Sequence, residues 1–280
     1  MQGEVWGRLA VDACPKHVLA GFVPSPVPPA LQGASMTHAH QHTPNKYFLV
    51  REYLQHSVAT FSTAASKLTA LILRIEDQKT IMEQEDFAPV AHNLERLQVA
   101  RSVASKSLTT KQEAREHWTQ AQFCLERWLS EDKEVLTIAD ICVLHACVCG
   151  KVSSKLRDVA VFVGPTQLCD PRELKECMEQ LVEEIFQNTL AAHPVLRAAA
   201  LRQWFLAIHP FDDANGRTAQ LLADYILLKE GYLPQSFNQS VEGICGLTWG
   251  ESQRVFMTPE TAFLAFARSV LNSYSILGGI

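Results

Sequence analysis

The segment HPFDDANGR, residues 209–217, sets a histidine, two aspartates, an Asn-Gly step and an arginine between two apolar stretches, and runs on through Thr218 and Ala219 to Gln220. A loop that enters a helix in this way aims unpaired backbone N–H groups and the positive end of the helix dipole at one point, which makes an anion site. Gly216 lets a phosphate approach the backbone closely. Arg217, in the first turn, adds a guanidinium fork suited to phosphate oxygens. A carboxylate beside phosphates is repelled unless a divalent cation lies between them, which assigns Asp213 to Mg2+. At the loop's other end, His209 is able to take a proton near neutral pH. Taken one by one, a histidine before proline is an ordinary helix-end residue and DDANG an ordinary turn. Their joint spacing is what points to phosphate chemistry with a base beside it.

The flanking sequence explains how such a loop is held. HPVLRAAALRQWFLAI reads as a helix opened by Pro194 that delivers His209 at its far end. GRTAQLLADYILLKEGY resumes a helical stripe through Leu221, Leu222, Tyr225 and Leu228 and stops at Gly231, with Pro234 beyond. Upstream, LTIADICVLHACV starts at Thr137 as N-cap with Asp140 three residues on, a capping box with Asp in place of Glu. DPRELKECMEQLVEEIFQ offers Asp170 as N-cap, Pro171 at the first helical position and Glu173 at the third. Between these two helices KLRDVAVFVGP alternates Val159, Val161 and Val163 with period two, the one convincing strand signal in the chain. A last helix, TPETAFLAFARSVL, starts at Thr258 and Pro259. The fold expected is mainly α with one short hairpin.

Three regions are expected. Residues 1–46 read as a Pro/His-containing arm, since prolines at 24, 26, 28 and 29 block helix and sheet pairing. Its His38, His40 and His42 have no second shell to orient them, so a metal site is the weaker reading. Residues 47–130 read as a helical bundle. One stripe runs Leu54, Val58, Phe61, Ala65, Leu68, Ile72 and Ile75, a second Val90, Leu94, Leu97 and Ala104, and a third Ala114, Trp118, Ala121, Leu125 and Trp128. These stripes read as bundle core before they read as a surface for an oligomer or another partner. Residues 131–280 form the core domain carrying the motif.

Composition narrows the class. With 280 residues, 47% hydrophobic and 20% charged, the chain can bury a sizeable core. A net charge of −5 gives no basic footprint for nucleic acid. No apolar run reaches the roughly 18 residues of a membrane span, and Glu4 and Arg8 interrupt anything like a signal-peptide core. Eight scattered cysteines on apolar helical patterns suit buried thiols in a reducing compartment, cytoplasm or nucleus. Cys147 and Cys149, one residue apart on a helix, make a poor metal pair, and His145 reads as a satisfied core histidine.

HPFDDANGR resembles the signature of Fic-domain proteins: His, any, Phe, any, Asp or Glu, Gly or Ala, Asn, Gly, Arg, two of any kind, Arg. The chain matches at His209, Phe211, Asp213, Ala214, Asn215, Gly216 and Arg217. GKVSSKLRDVAVFVGP looks like the family's flap hairpin and HPVLRAAALRQWFLAIHPF like its motif-leading helix, so the likeness covers about residues 130–275. The resemblance implies a Fic-type helical bundle with one short β-hairpin flap, preceded by an N-terminal helical segment. It implies transfer of AMP from ATP to a Ser, Thr or Tyr hydroxyl of a target protein. His209 would be the general base, a role worth typically 10²- to 10⁴-fold. Asp213 would position Mg2+, Asn215 with the Gly216 backbone would form the anion hole, Arg217 would grip the β-phosphate side, and Phe211 would bury to fix the loop. Val159, Ala160, Val161, Phe162 and Val163 would dock an extended target segment by strand addition.

Two departures matter. The second motif Arg, which meets the γ-phosphate or an inhibitory glutamate in family members, is Gln220 here, a loss of roughly 1.5–3 kcal/mol of charge-assisted bonding. Gln220 keeps the nucleotide- or phosphate-binding place without the charge, and phosphocholine transfer from CDP-choline or UMP transfer stays open behind AMP. A Fic-fold binding module with decayed chemistry is the reading of a different class. The second departure is that the family's inhibitory helix finds only poor matches, Thr109 to Glu113 followed by Ala114, and Ser130 to Glu134. No self-inhibition by that route is expected.

Overall fold

In the computed structural model, which describes residues 63–82, 110–163, 166–187, 193–235 and 259–277, local capping signals set the starts of three helices. The order is α1 (Thr63–Met82), α2 (Lys111–Ser130), α3 (Ile138–Cys149), β1 (Phe162–Val163), β2 (Thr166–Gln167), α4 (Leu174–Phe186), α5 (Pro194–Ile208), α6 (Asn215–Lys229) and α7 (Pro259–Leu277). Both α2 and α3 open on a full capping box, Thr110 with Glu113 and Thr137 with Asp140. The shorter Asp side chain therefore serves as well as Glu. Helix α3 ends at Gly150 in the left-handed region at φ 63°. There a Cβ would lie 2.1 Å from Nε2 of His117, so conformation and space both require glycine.

Helices α5 and α6 pack along each other at the centre of the fold. Around them α4 and α7 lie against α5, while α2 and α3 lie against each other and against α6. Phe205, Leu222, Leu144, Leu181 and Phe263 fill the space between, all fully buried. Burial of each such side chain contributes about 1.5–3 kcal/mol. Trp128 of α2 meets Tyr225 of α6 edge to face at 5.7 Å, and the Tyr225 hydroxyl donates to the Lys133 carbonyl. The expected stripe through Ala121, Leu125 and Trp128 is buried.

Helix α1 buries Leu68, Ile75 and Met82 at steps of seven and packs against α7. Its Glu76 Oε1 accepts hydrogen bonds from His193 Nε2 at 2.9 Å and from the Tyr232 hydroxyl at 2.6 Å. Lys79 Nζ donates to the Glu230 carbonyl and lies 4.2 Å over the Tyr232 ring. Leu54, Val58, Phe61, the second stripe from Val90 to Ala104, and the arm with His38, His40 and His42 lie outside the described residues.

Two boundaries differ from expectation. Residues 171–173 form a turn and α4 starts at Leu174, because Asp170 Oδ1 accepts from the Arg172 N–H and its carboxylate pairs with the Arg172 guanidinium. Asp170 thus caps the turn and not the helix. The hairpin is shorter than the Val159–Val163 alternation predicts: only Phe162 pairs with Gln167 and Val163 with Thr166. One more backbone bond, Leu168 N–H to the Val161 carbonyl, extends the pairing. The Val159 carbonyl is taken instead by the Arg157 guanidinium, 2.6 Å away. Among the described residues no helix is long and apolar enough to cross a membrane.

Candidate active site

His209 sits at the C-cap of α5 in the left-handed region, φ 53°. Ala214, five residues on, is left-handed too at φ 58° and serves as the N-cap of α6. Two of the three non-glycine residues with positive φ among those described therefore bracket the motif loop, at a cost of order 1–3 kcal/mol each that the surrounding packing must hold. The His209 side chain is buried, and burial pushes its pKa down to about 4. A hydrogen bond to the Leu206 carbonyl and the charge of Asp213 oppose that shift, while the Arg157 guanidinium adds to it. The bond to Leu206 fixes one ring nitrogen as donor, which leaves the other as a proton acceptor. The result is a neutral imidazole.

The loop is closed by Asn215. Its Oδ1 accepts from the Phe211 N–H at 3.0 Å and its Nδ2 donates to the Phe211 carbonyl at 2.7 Å. The oxygen and the nitrogen of the Asn215 amide thus both bond the Phe211 backbone, and the first-turn N–H groups of α6 have no acceptor within their own helix. Phe211 is buried against Phe205 and His145. At Gly216 a Cβ would meet nothing within 4 Å, so the helix N-terminus is open there. Arg217 reaches back to the end of α3, with Nη1 3.1 Å from the Val148 carbonyl and Nη2 3.8 Å from Asp213 Oδ2. Asp213 is exposed, with Oδ1 accepting from the Ala214 N–H at 2.6 Å.

Gln220 is placed differently from the rest. It is buried, and its Nε2 donates to the Asp224 carboxylate at 3.1–3.2 Å, while its Oε1 has no hydrogen-bond partner. Asp224 also accepts from the Gln235 N–H. Glu113 caps α2 through Thr110, whose N–H and hydroxyl both donate to its Oε2. On the hairpin, Val159 and Phe162 are exposed.

Two residues shape the loop that sequence reasoning did not single out for it. His145 is a satisfied core histidine, but the motif loop itself is what satisfies it. Its Nε2 lies 2.9 Å from the Asp213 carbonyl, which can only accept, so Nδ1 accepts from the Ser154 hydroxyl at 2.6 Å. Arg157 is buried among carbonyls. Nε donates to His209 at 2.7 Å, Nη1 to Val159 at 2.6 Å, and Nη2 to Cys169 at 2.5 Å and Ile208 at 3.3 Å. Its own N–H donates to the Pro210 carbonyl.

A family model described as the Fic/DOC family matches residues 135–227. The protein adenylyltransferase fic-1 of Caenorhabditis elegans is 32% identical over 111 residues, which is 38% of this chain and 22% of that protein. The chain thus matches only about a fifth of that relative's length. Among solved structures, a Fic-1 fragment from C. elegans superposes with a TM-score of 0.63 at 17% identity, covering 85% of this chain and 78% of that one. A variant of IbpAFic2 in complex with adenylylated Cdc42 gives 0.53 at 16% identity over 81% of this chain and 76% of that one. At those identities the structures speak for the fold. The motif loop, the hairpin and α3, α4 and α5 lie inside the matched stretch and α6 runs on to Lys229, so the part of the chain that carries the site is the part, residues 135–227, that matches the Fic/DOC family model.

Proposed function

We propose that this chain transfers AMP from ATP to a hydroxyl side chain of a target protein. The observation that carries the reading is a buried neutral His209, one nitrogen fixed by Leu206, on the same closed loop as a helix N-terminus left open at Gly216. The unprotonated nitrogen would take the proton of the attacking hydroxyl. The first-turn N–H groups of α6 and the Arg217 guanidinium would receive the phosphates, replacing water by fixed donors as charge develops. The adenylyltransferase named among the relatives, and the adenylylated protein bound to another neighbour, support a nucleotide donor and a folded protein acceptor.

Asp213 fits a Mg2+ ligand. Among the described residues no three metal-binding side chains cluster, but Mg2+ is commonly held by one or two carboxylates with waters and substrate phosphates, and Asp213 is an exposed carboxylate beside the anion site. Mg2+ bound there would neutralise phosphate charge. Asp213 is itself oriented by the Ala214 N–H, as a ligand needs to be. The stretch Val159, Ala160, Val161, Phe162 and Val163, exposed at Val159 and Phe162, would take an extended target segment. The six cysteines described are all unbridged, in keeping with a reducing cytoplasmic or nuclear setting.

Gln220 favours a second reading of the donor. With its amide nitrogen held by Asp224, it offers no cation to a third phosphate, which leaves CDP-choline or UTP as competitors of ATP. The test is label transfer to lysate proteins from α-labelled ATP, α-labelled UTP and CDP-choline labelled in its phosphocholine, with wild type and His209→Ala compared. His209-dependent labelling from ATP is the expected result. Labelling from another donor alone would replace AMP by that group, and none from any donor would leave a binding module.

A further inference from the structure

The hairpin and the motif loop are separate in sequence, and one side chain joins them. Arg157 is 3% exposed, and its guanidinium donates to carbonyls of three backbone segments: Val159 before β1, Cys169 after β2, and Ile208 with His209 at the end of α5. We propose that Arg157 is a positioning residue that couples the target-docking hairpin to His209, so that both hairpin roots and the backbone of the base move as one body. This rests on His209 being the base and the hairpin the docking element, as proposed above.

The chemistry of the guanidinium suits the task. It presents five N–H donors in a rigid planar fork. Four carbonyl oxygens, 2, 12, 51 and 52 residues away from Arg157 in sequence, surround it, and each would need another donor if it were removed. The same residue's N–H donates to the Pro210 carbonyl, so backbone and side chain of position 157 hold both sides of the His209 peptide units. That matters because His209 is in a left-handed conformation that its surroundings must hold. Lysine carries the charge, but its three donors leave one point and cannot span the fork.

Arg157 touches no phosphate or hydroxyl in this scheme. The anion-binding groups are anchored elsewhere, Arg217 on the Val148 carbonyl and the loop by Asn215 on Phe211. Loss of the fork should therefore disturb the base and the dock together and leave nucleotide binding alone. A purely structural role would weaken the whole fold without that division.

The experiment uses the full chain with Arg157→Lys and Arg157→Met, read by hydrogen–deuterium exchange and by kinetics. In both variants amide exchange should speed up together in segments 159–169 and 208–211. With ATP as donor kcat should fall by about 10²-fold, the scale of a base misplaced by an ångström, while the KM for nucleotide changes by less than about threefold. Faster exchange in the hairpin with 208–211 unchanged, or an unchanged kcat, overturns the coupling. If wild type transfers no nucleotide, the function proposed above fails, and the exchange pattern still decides whether the two segments are joined. Should neither variant fold, the Arg157 Nε–H proton in wild type is the measure: slow exchange with solvent supports the fork and fast exchange overturns it.

Discussion

The imidazole of His145 stacks on the ring of Phe211 at 3.7 Å between centroids, 13° from parallel. The contact carries the last turns of α3 onto the motif loop, and the Nε2 bond to the Asp213 carbonyl fixes the loop's other half against the same ring. Burial holds the His145 pKa below its ordinary value, so the ring stays neutral with Nε2–H as its donor. His145→Phe preserves the stack and removes both hydrogen bonds. It should cost about 1–3 kcal/mol, two ordinary hydrogen bonds. His145→Ala removes the stack as well and leaves a cavity, which should add about 2 kcal/mol or more. Urea unfolding midpoints of the three proteins check the order, and equal midpoints for Phe and Ala would show that the stack contributes nothing.

The depressed pKa of His209 gives a signed dependence on pH. In the unfolded chain the ring titrates near 6.5, and in the folded one at about 4. Between those values the unfolded state binds more protons, so the contribution is fully present above pH 6.5 and is lost as pH falls toward 4, on the order of 3 kcal/mol in all. Glu76 and Asp140, also held below their ordinary values by their partners against the effect of burial, act with the same sign lower in pH. Comparison of wild type with His209→Asn between pH 7.5 and 4.5 isolates the histidine, and the variant should lose less stability over that range. For the same reason kcat/KM, which reports the free protein, should show no acidic limb near pH 6.5.

What could be read from the sequence follows from where the information lies. The helices around the loop were legible because their signals are local: Thr137 with Asp140, Pro194 at a helix start, and the spacing of Leu221, Leu222 and Tyr225 each specify structure within a few residues. The loop's residues stand out in the sequence because the phosphate chemistry proposed for them would need particular side chains at fixed intervals. Arg157 was not, because its partners are backbone carbonyls, which every residue carries and no pattern marks. The same tertiary contact shortened the hairpin by taking the Val159 carbonyl. Asn215 stands out as a motif residue, but its amide bonds to Phe211 depend on how the loop closes and no pattern marks them. Gln220 was noticed as a departure, yet its burial against Asp224 is a property of the packed helix.

Glu113 separates capping from inhibition. Its carboxylate completes the capping box of α2 with Thr110. Glu113→Gly removes that partner and adds a glycine to the first turn, so stability should fall by about 1 kcal/mol. Gln220 is neutral, so an inhibitory glutamate would have no salt-bridge partner at that position. Label transfer by Glu113→Gly should therefore stay within about twofold of wild type once the fraction folded is matched, and a large rise would establish self-inhibition through this helix.

Gly216 offers the cleanest separation of fold from function. It lies in the first turn of α6, and a Cβ built there meets no atom within 4 Å. Its φ is helical and not left-handed, so alanine is tolerated by the backbone. Alanine should raise stability by about 0.5–1 kcal/mol, because glycine is the poorer helix former. The methyl group would nevertheless project from the turn whose N–H groups are to receive a phosphate, where close approach of the backbone is what the site needs. Gly216→Ala should thus unfold at a higher urea concentration than wild type while its KM for nucleotide rises and labelling falls by about tenfold or more, roughly 1.4 kcal/mol of lost binding. Labelling at the wild-type level would mean that the phosphates do not approach α6 through Gly216, and the anion site would have to lie elsewhere on the loop.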